Sequence, residues 1–507
     1  MDDKRTNLLL EGVDSIEGYQ AELINRILHK TPVCHCVCVT KDHDGKDRYD
    51  ETRVTEINYD ICEHNRYAEV YDFNDMLPLG KDILEAMLPY ESTVMKMLVR
   101  NTEQDVYFYD ESKRFYLAHL RFWNHIFRKH QITHVVQVCV PHHAHDYVIY
   151  ALAKIYRCKY VVNVATSIWN HWIPCTNLEY PCEQLLNRYE ALKEEGKEVV
   201  LSEKLEHYYQ ALHIDKVALD RNIMNAGMTR KQHIDMQKNK YLFYFNAGNR
   251  LKRRKHLLKE KMLACMKHDK VFSERIHDEA MWNTNLTKRS KLRSKLMVDI
   301  HYYDSLATQS VEGERYVVYF LHYQPEASTL PQAGVFVEQE LAITLLAHVL
   351  KQRGIRLYVK EHFVQPYRSK AFYDGLKRID NVTLINSNVD SKQLLVKSLA
   401  VSSCCGSSTQ EAIFNGVPVL LFGFGMFTGA PGTFSCATEQ DIVNAMDRIQ
   451  NGMEISQEDV RYYLKAFDEL AVRTNPYVSS KAGADNLFEE CGINNLEKEI
   501  IDFVREI

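Results

Sequence analysis

VVYFLHYQPEASTLPQAGVF, residues 317–336, is an apolar run of strand character that breaks into a polar turn and then into an amphipathic helical pattern. Two more units of the same kind follow. IRLYVKEH, residues 355–362, ends on Lys360, Glu361 and His362, and LAVSSCCGSSTQEAIFNGVPVLLFG, residues 399–423, places Gly406, Ser407, Ser408 and Glu411 between one strand and a short helix. A further strand, 417–422, stops at Gly423. Repetition of strand, polar turn and helix predicts an open parallel sheet, and such sheets bind ligands at the carboxyl ends of their strands. The polar residues of this stretch fall at those ends.

Working outward, the amino-terminal half shows the same alternation. Strands are expected at 7–10, 33–39, 133–140 and 159–164, and helices at 16–28, 112–130 and 146–155. From 178 to about 300 the pattern is mainly helical and strongly charged. The stretch 301–314 is polar and aperiodic enough to read as a linker, a second α/β unit runs over 315–455, and 456–507 reads as closing helices. With 507 residues the chain is too long for one ordinary core. The expectation is therefore two Rossmann-like α/β domains, 1–177 and 315–455, facing a cleft, with the charged helical segment 178–300 as an insertion or flank of the first.

Composition narrows the function. A net charge of -5 with 45% hydrophobic residues gives no global attraction to nucleic acid, so any anionic ligand must be met locally. The 13 cysteines are scattered and odd in number, and no apolar run approaches a membrane span, which predicts a reducing, cytoplasmic setting. In CHCVC, residues 34–38, the three cysteines alternate on one strand face and are expected to be buried, since no second Cys/His pair completes a zinc set. The loop carrying Asp42 and Asp44 lacks the glycine offset of a calcium loop and reads as solvated. No metal site is expected.

Two features point to chemistry. PHHAHDYVIYALAK, residues 141–154, sets His142, His143 and His145 beside Asp146 at a strand end, where imidazoles serve as acid or base; the bland alternative is that they cap and coat the helix, with Asp146 as N-cap. In the second half, Lys360 and His362 can neutralise a phosphate, Gln324 can bond a base or sugar, and Glu326 can take a hydroxyl. Ser407 and Ser408 stand at a helix start, where free N–H groups favour an anion, and Glu411 would complete a capping box with Ser408.

The order YxLHYQPEAxTxP, YVKEH and a Gly–Ser turn followed by QEAIFNGVPVLLFG resembles the capsule polysaccharide biosynthesis proteins, glycosyltransferases of GT-B fold that include Kdo transferases. The resemblance covers 315 to about 432 and departs from the family pattern at Phe363 and at Cys404–Cys405. It implies a GT-B-like fold whose second domain holds a nucleotide-sugar, with Gln324, Lys360, His362, Ser407, Ser408 and Glu411 lining the nucleotide pocket, and whose first domain receives a polysaccharide or glycolipid acceptor. CMP-Kdo is the donor it suggests. No cofactor beyond that co-substrate and no metal is expected. Retention of configuration would need a carboxylate nucleophile and inversion only a base. Glu11, Asp14 and Asp146 are the candidates, with His142 as a further acid or base, and the residues do not choose among them. The basic excess of 250–296 would hold the protein at an anionic membrane surface, on the cytoplasmic face. A polyol-phosphate transferase, a sugar-nucleotide epimerase and a non-catalytic binding component of an assembly complex are the competing readings of the same scaffold.

Overall fold

The computed structural model describes residues 5–13, 20–40, 52–100, 109–166, 168, 171–178, 182–212, 297–298, 300–324, 326–362, 368–474 and 492–506. Asp14, Asp42, Asp44 and the basic segment 250–296 lie outside them. The first half contributes β1 (Thr6–Glu11), β2 (Val33–Thr40), β3 (Val54–Asn58), β4 (His134–Gln137), β5 (Lys159–Ala165) and β6 (His171–Cys175). Leu8, Leu9 and Leu10 are all fully buried, because a central parallel strand is covered by helices on both faces. The strand β1 pairs in parallel with β2 on one side and β4 on the other. The crevice where connections change direction therefore opens between the carboxyl ends of β1 and β4.

After β7 (Met297–Val298) come β8 (Tyr316–Phe320), β9 (Arg356–Lys360), β10 (Arg368–Ser369), β11 (Val382–Ile385), β12 (Ala400–Ser403), β13 (Val419–Leu421), β14 (Thr433–Ser435) and β15 (Val472–Arg473). The second sheet is wholly parallel in the order β11-β9-β8-β12-β13-β14, and β7 and β10 form a small antiparallel pair beside it. Its switch point lies between β8 and β12. The first sheet runs β15-β6-β5-β4-β1-β2-β3, so the chain returns at its end to pair β15 antiparallel with β6. The helix Gln457–Leu470, amphipathic with Val460, Tyr463, Leu464 and Phe467 inward, accompanies that return. The predicted two-domain α/β architecture with closing helices is what the described residues form.

Three local expectations change. The stretch 301–314 opens as the helix Ile300–Leu306, whose buried Tyr303 hydroxyl lies 3.1 Å from the Val359 carbonyl, 2.5 Å from that of Ile385 and 3.1 Å from the Glu361 N–H. Tyr303 is part of the second core, with Ile300, Tyr302 and Leu306 packed against it, so this segment belongs to that core. Cys34 is exposed while Cys36 and Cys38 are buried, because the β1–β2 register passes from Thr6↔Val33 to Asn7↔His35 and skips Cys34. In the helix Ala144–Ile155 the N-cap is His143 and Asp146 is N3, its carboxylate accepting from the N-cap N–H at 3.0 Å. Among the described residues no helix is long and apolar enough to cross a membrane.

Candidate functional site

A cleft of about 700 Å³ opens at the switch point of the second sheet, and Ala165 and Thr166 from the end of β5 reach it from the first domain. Its floor is built by the turns after β8, β9 and β12. Leaving β8, His322 turns inward and is buried; its Nε2 accepts from the Cys405 N–H at 3.0 Å and lies 2.9 Å from Ser403 Oγ. Accepting at Nε2 puts the ring proton on Nδ1. Burial, reinforced by the charges of His362 and Arg368, lowers its pKa to about 3, so the imidazole is neutral. Gly406 packs tightly beside it: a Cβ there would sit 3.1 Å from His322 Cε1 and 3.2 Å from Ser403 Oγ.

The turn after β9 carries Lys360, Glu361 and His362. Lys360 is 5% exposed, lines the cleft, and donates to the carbonyls of Asn386 (3.2 Å) and Ser387 (3.1 Å), which holds its ammonium at the strand end. Glu361 faces inward. It accepts from Arg368 Nε (2.8 Å) and Nη2 (3.2 Å), the Tyr373 hydroxyl (2.6 Å) and the His362 N–H (2.7 Å). Arg368 also donates to Gln324 Oε1 and to the His322 carbonyl, each at 2.6 Å. One buried guanidinium thus ties the turns after β8 and β9 together.

That network decides where the sequence candidates fall. Lys360, His362, Glu326, Ser407, Ser408 and Glu411 all line the cleft. Gln324 does not: its Oε1 takes Arg368 and its Nε2 donates to the Val337 carbonyl at 2.6 Å, so the expected contact with a base or sugar is replaced by a scaffold role. The expected capping box at Ser408 is also absent, since Ser407 is the N-cap and makes no side-chain cap bond. The first turn closes on itself, with Thr409 N–H bonded to the Gly406 carbonyl (3.0 Å) and Gln410 N–H to that of Ser407 (3.1 Å). The anion donors left there are those of Ser407 and Ser408. Thr409, which sequence reading passed over, lines the cleft with a buried Oγ1 that has no hydrogen-bond partner. Glu411 carries a carboxyl whose pKa burial raises, with Asp390 adding to the rise and Lys392 opposing it.

The remaining candidates lie elsewhere. Glu11, His142 and Asp146 gather at the switch point of the first sheet and do not line the cleft. Glu11 and Asp146 are 3% exposed each. Arg368 and His322 were not singled out from sequence. His322 had the signal of its position, directly after an apolar strand; Arg368 had none, because its partners are set by the β7–β10 pair.

No protein-family model and no curated protein matches the chain. Among solved structures, a UDP co-structure of MnaA from S. aureus is 10% identical with a TM-score of 0.24, covering 98% of this chain and 97% of that one. The UDP-GlcNAc 2-epimerase of Methanocaldococcus jannaschii in complex with UDP-GlcNAc and UDP is 11% identical at a TM-score of 0.23, covering 89% and 93%. KpsC of Thermosulfurimonas dismutans, a beta Kdo 2,4 transferase, is 12% identical at 0.26, covering 73% and 87%. Likeness at this level carries no argument about substrate or mechanism.

Proposed function

We propose that the cleft binds the nucleotide and phosphate of a nucleotide-sugar and that the chain is a glycosyltransferase, with Kdo carried by CMP as the donor and a surface polysaccharide or glycolipid as the acceptor. The observation that supports this is the convergence of Lys360, His362, Ser407, Ser408 and Thr409 on one cleft at a switch point, with a volume in the range of small-molecule sites. Lys360 and His362 offset the charge of the leaving phosphate, the serine and threonine donors orient it, and Glu326 takes a sugar hydroxyl. Since Glu11 and Asp146 are off the cleft, the acid–base group is Glu411, whose pKa is moved in the direction that proton transfer near neutral pH requires. Phosphate stabilisation here uses protein groups, so nucleotide affinity is expected to be the same with and without a chelator in the buffer. The segment 250–296 serves as contact with an anionic membrane face, and charge reversal at Arg253, Arg254 and Lys255 should release the protein from anionic liposomes.

The experiment that tests the reading is a thermal-shift panel of CMP, CDP, UDP and GDP. A ligand at about 100 times its Kd adds about 2.7 kcal/mol of stability. A rise with CMP alone supports the CMP-linked donor, a rise with UDP alone moves the donor class, and no rise with any of the four removes the nucleotide site. Incubation with a nucleotide-sugar and no acceptor then separates the chemistries. Free nucleotide marks transfer to water, whereas an isomerised sugar still bearing its nucleotide marks an epimerase.

A further inference from the structure

The switch point of the first sheet holds a cluster that the cleft does not use. Glu11 ends β1, and His145 and Asp146 open the helix that follows β4. One ligand-type atom of each lies within 4.8 Å of the others, and His145 is 0% exposed with Asp146 at 3%. His145 Nε2 and Asp146 Oδ1 are 2.6 Å apart. That is ion-pair distance, yet neither atom has a hydrogen-bond partner of regular geometry. Together with the Glu11 carboxylate they share one buried corner.

The surroundings hold the two carboxylates still. Gln137 Nε2 donates to Glu11 Oε2 at 3.1 Å and to the Asp146 carbonyl at 3.0 Å, and the Tyr160 hydroxyl donates to Gln137 Oε1 at 2.6 Å. Asp146 Oδ2 accepts the N–H groups of His142 (3.1 Å) and His143 (3.0 Å), which leaves Oδ1 turned toward the cluster. Fixing one carboxylate oxygen from behind while the other faces a shared point is the arrangement of outer-shell groups around a metal. Two carboxylates, a neutral imidazole and a divalent cation sum to zero charge, which suits a buried site. The geometry points to a buried divalent-cation site formed by Glu11, His145 and Asp146, of the type that zinc occupies. One imidazole nitrogen and two carboxylate oxygens suit that ion, whereas calcium and magnesium take oxygen alone. The site is structural, ties β1 to the helix after β4, and is separate from the proposed phosphate chemistry of the cleft.

The test uses the full chain, purified without metal affinity or chelator, stripped, and titrated with Co²⁺ as a spectroscopic stand-in for zinc. The expected result is one equivalent bound with visible d–d bands and no thiolate charge-transfer band, and a raised melting temperature. Glu11→Gln and Asp146→Asn keep the side-chain shapes and should lower Co²⁺ affinity at least as far as loss of an outer-shell partner does, about 10–100-fold. Should the variants fail to fold, the spectrum of the unaltered protein decides. Absence of Co²⁺ uptake, a thiolate band that places the ion on cysteines, or folded variants that bind as tightly as the parent would each overturn the site.

Discussion

Replacing His322 with glutamine should make the protein less sensitive to acid. The folded imidazole is neutral with a pKa lowered to about 3, against an ordinary value of 6.5. Between those values the unfolded chain binds a proton that the folded chain does not, so stability is fully present above pH 6.5 and falls as pH drops through the window. Each pH unit well inside it costs about 1.4 kcal/mol, and a change from pH 7 to pH 5 costs about 2 kcal/mol through this one group. Glutamine can place an oxygen near the position of Nε2, accept from the Cys405 N–H, and carry no proton. Denaturant midpoints of the parent and His322→Gln, read at pH 7 and pH 5, should therefore diverge by about that amount, with the variant losing less. Another deeply buried histidine, His119, is also lowered to about 3 by burial, and being present in both proteins it cancels in the difference. Parallel pH dependence of the two proteins would refute a neutral His322 and with it the hydrogen-bond assignment beneath the Gly406 turn.

Lys360→Met keeps the buried stem and removes the charge, and His362→Ala removes a donor; each should weaken binding of whichever nucleotide the thermal-shift panel selects by about 1.5–3 kcal/mol in calorimetry, and unchanged affinity in both moves the phosphate elsewhere. Arg368→Met leaves Glu361 buried with its ion-pair partner gone and should cost about 3–5 kcal/mol of stability by chemical denaturation; a neutral effect would mean that the Tyr373 hydroxyl and the His362 N–H suffice. Gly423→Ala would bring a Cβ to 2.6 Å from the Gln332 carbonyl oxygen and 3.0 Å from Ala333 Cα. The resulting overpacking should cost about 1–3 kcal/mol in the same measurement, and a melting temperature equal to the parent's would show that this loop yields freely.

The parallel strands were readable because their chemistry is local. An apolar run such as Tyr316–Phe320 followed by a polar turn can only be a covered strand, and the residues just past it fall at the sheet edge by geometry alone. Lys360, His362, Glu326 and Glu411 were found that way. What the chain order conceals is the direction a polar side chain takes after the turn. Gln324 and Glu361 sit among cleft residues yet face inward, because Arg368 arrives from a two-residue strand paired with β7, and nothing between 361 and 368 announces it. The same holds at β1 and β4. Asp146 looked like a cap from its neighbours, and only the parallel pairing of Glu11 with Gln137 shows that Glu11 and Asp146 share one buried corner. The cysteine stretch was readable in type and misread by one residue, since a register skip flips which position meets solvent.

The pairing of β15 with β6 has a consequence for synthesis. The edge strand of the first sheet and the helix Ile493–Arg505, whose buried Ile493, Leu496, Ile500 and Val504 cover part of that domain's core, leave the ribosome after the second domain. The first domain therefore waits, with an open edge, through translation of the whole second domain. A nascent chain halted near residue 455 would carry a complete second sheet and an incomplete first one. Vectorial order is thus reversed, and the first sheet is completed after the second.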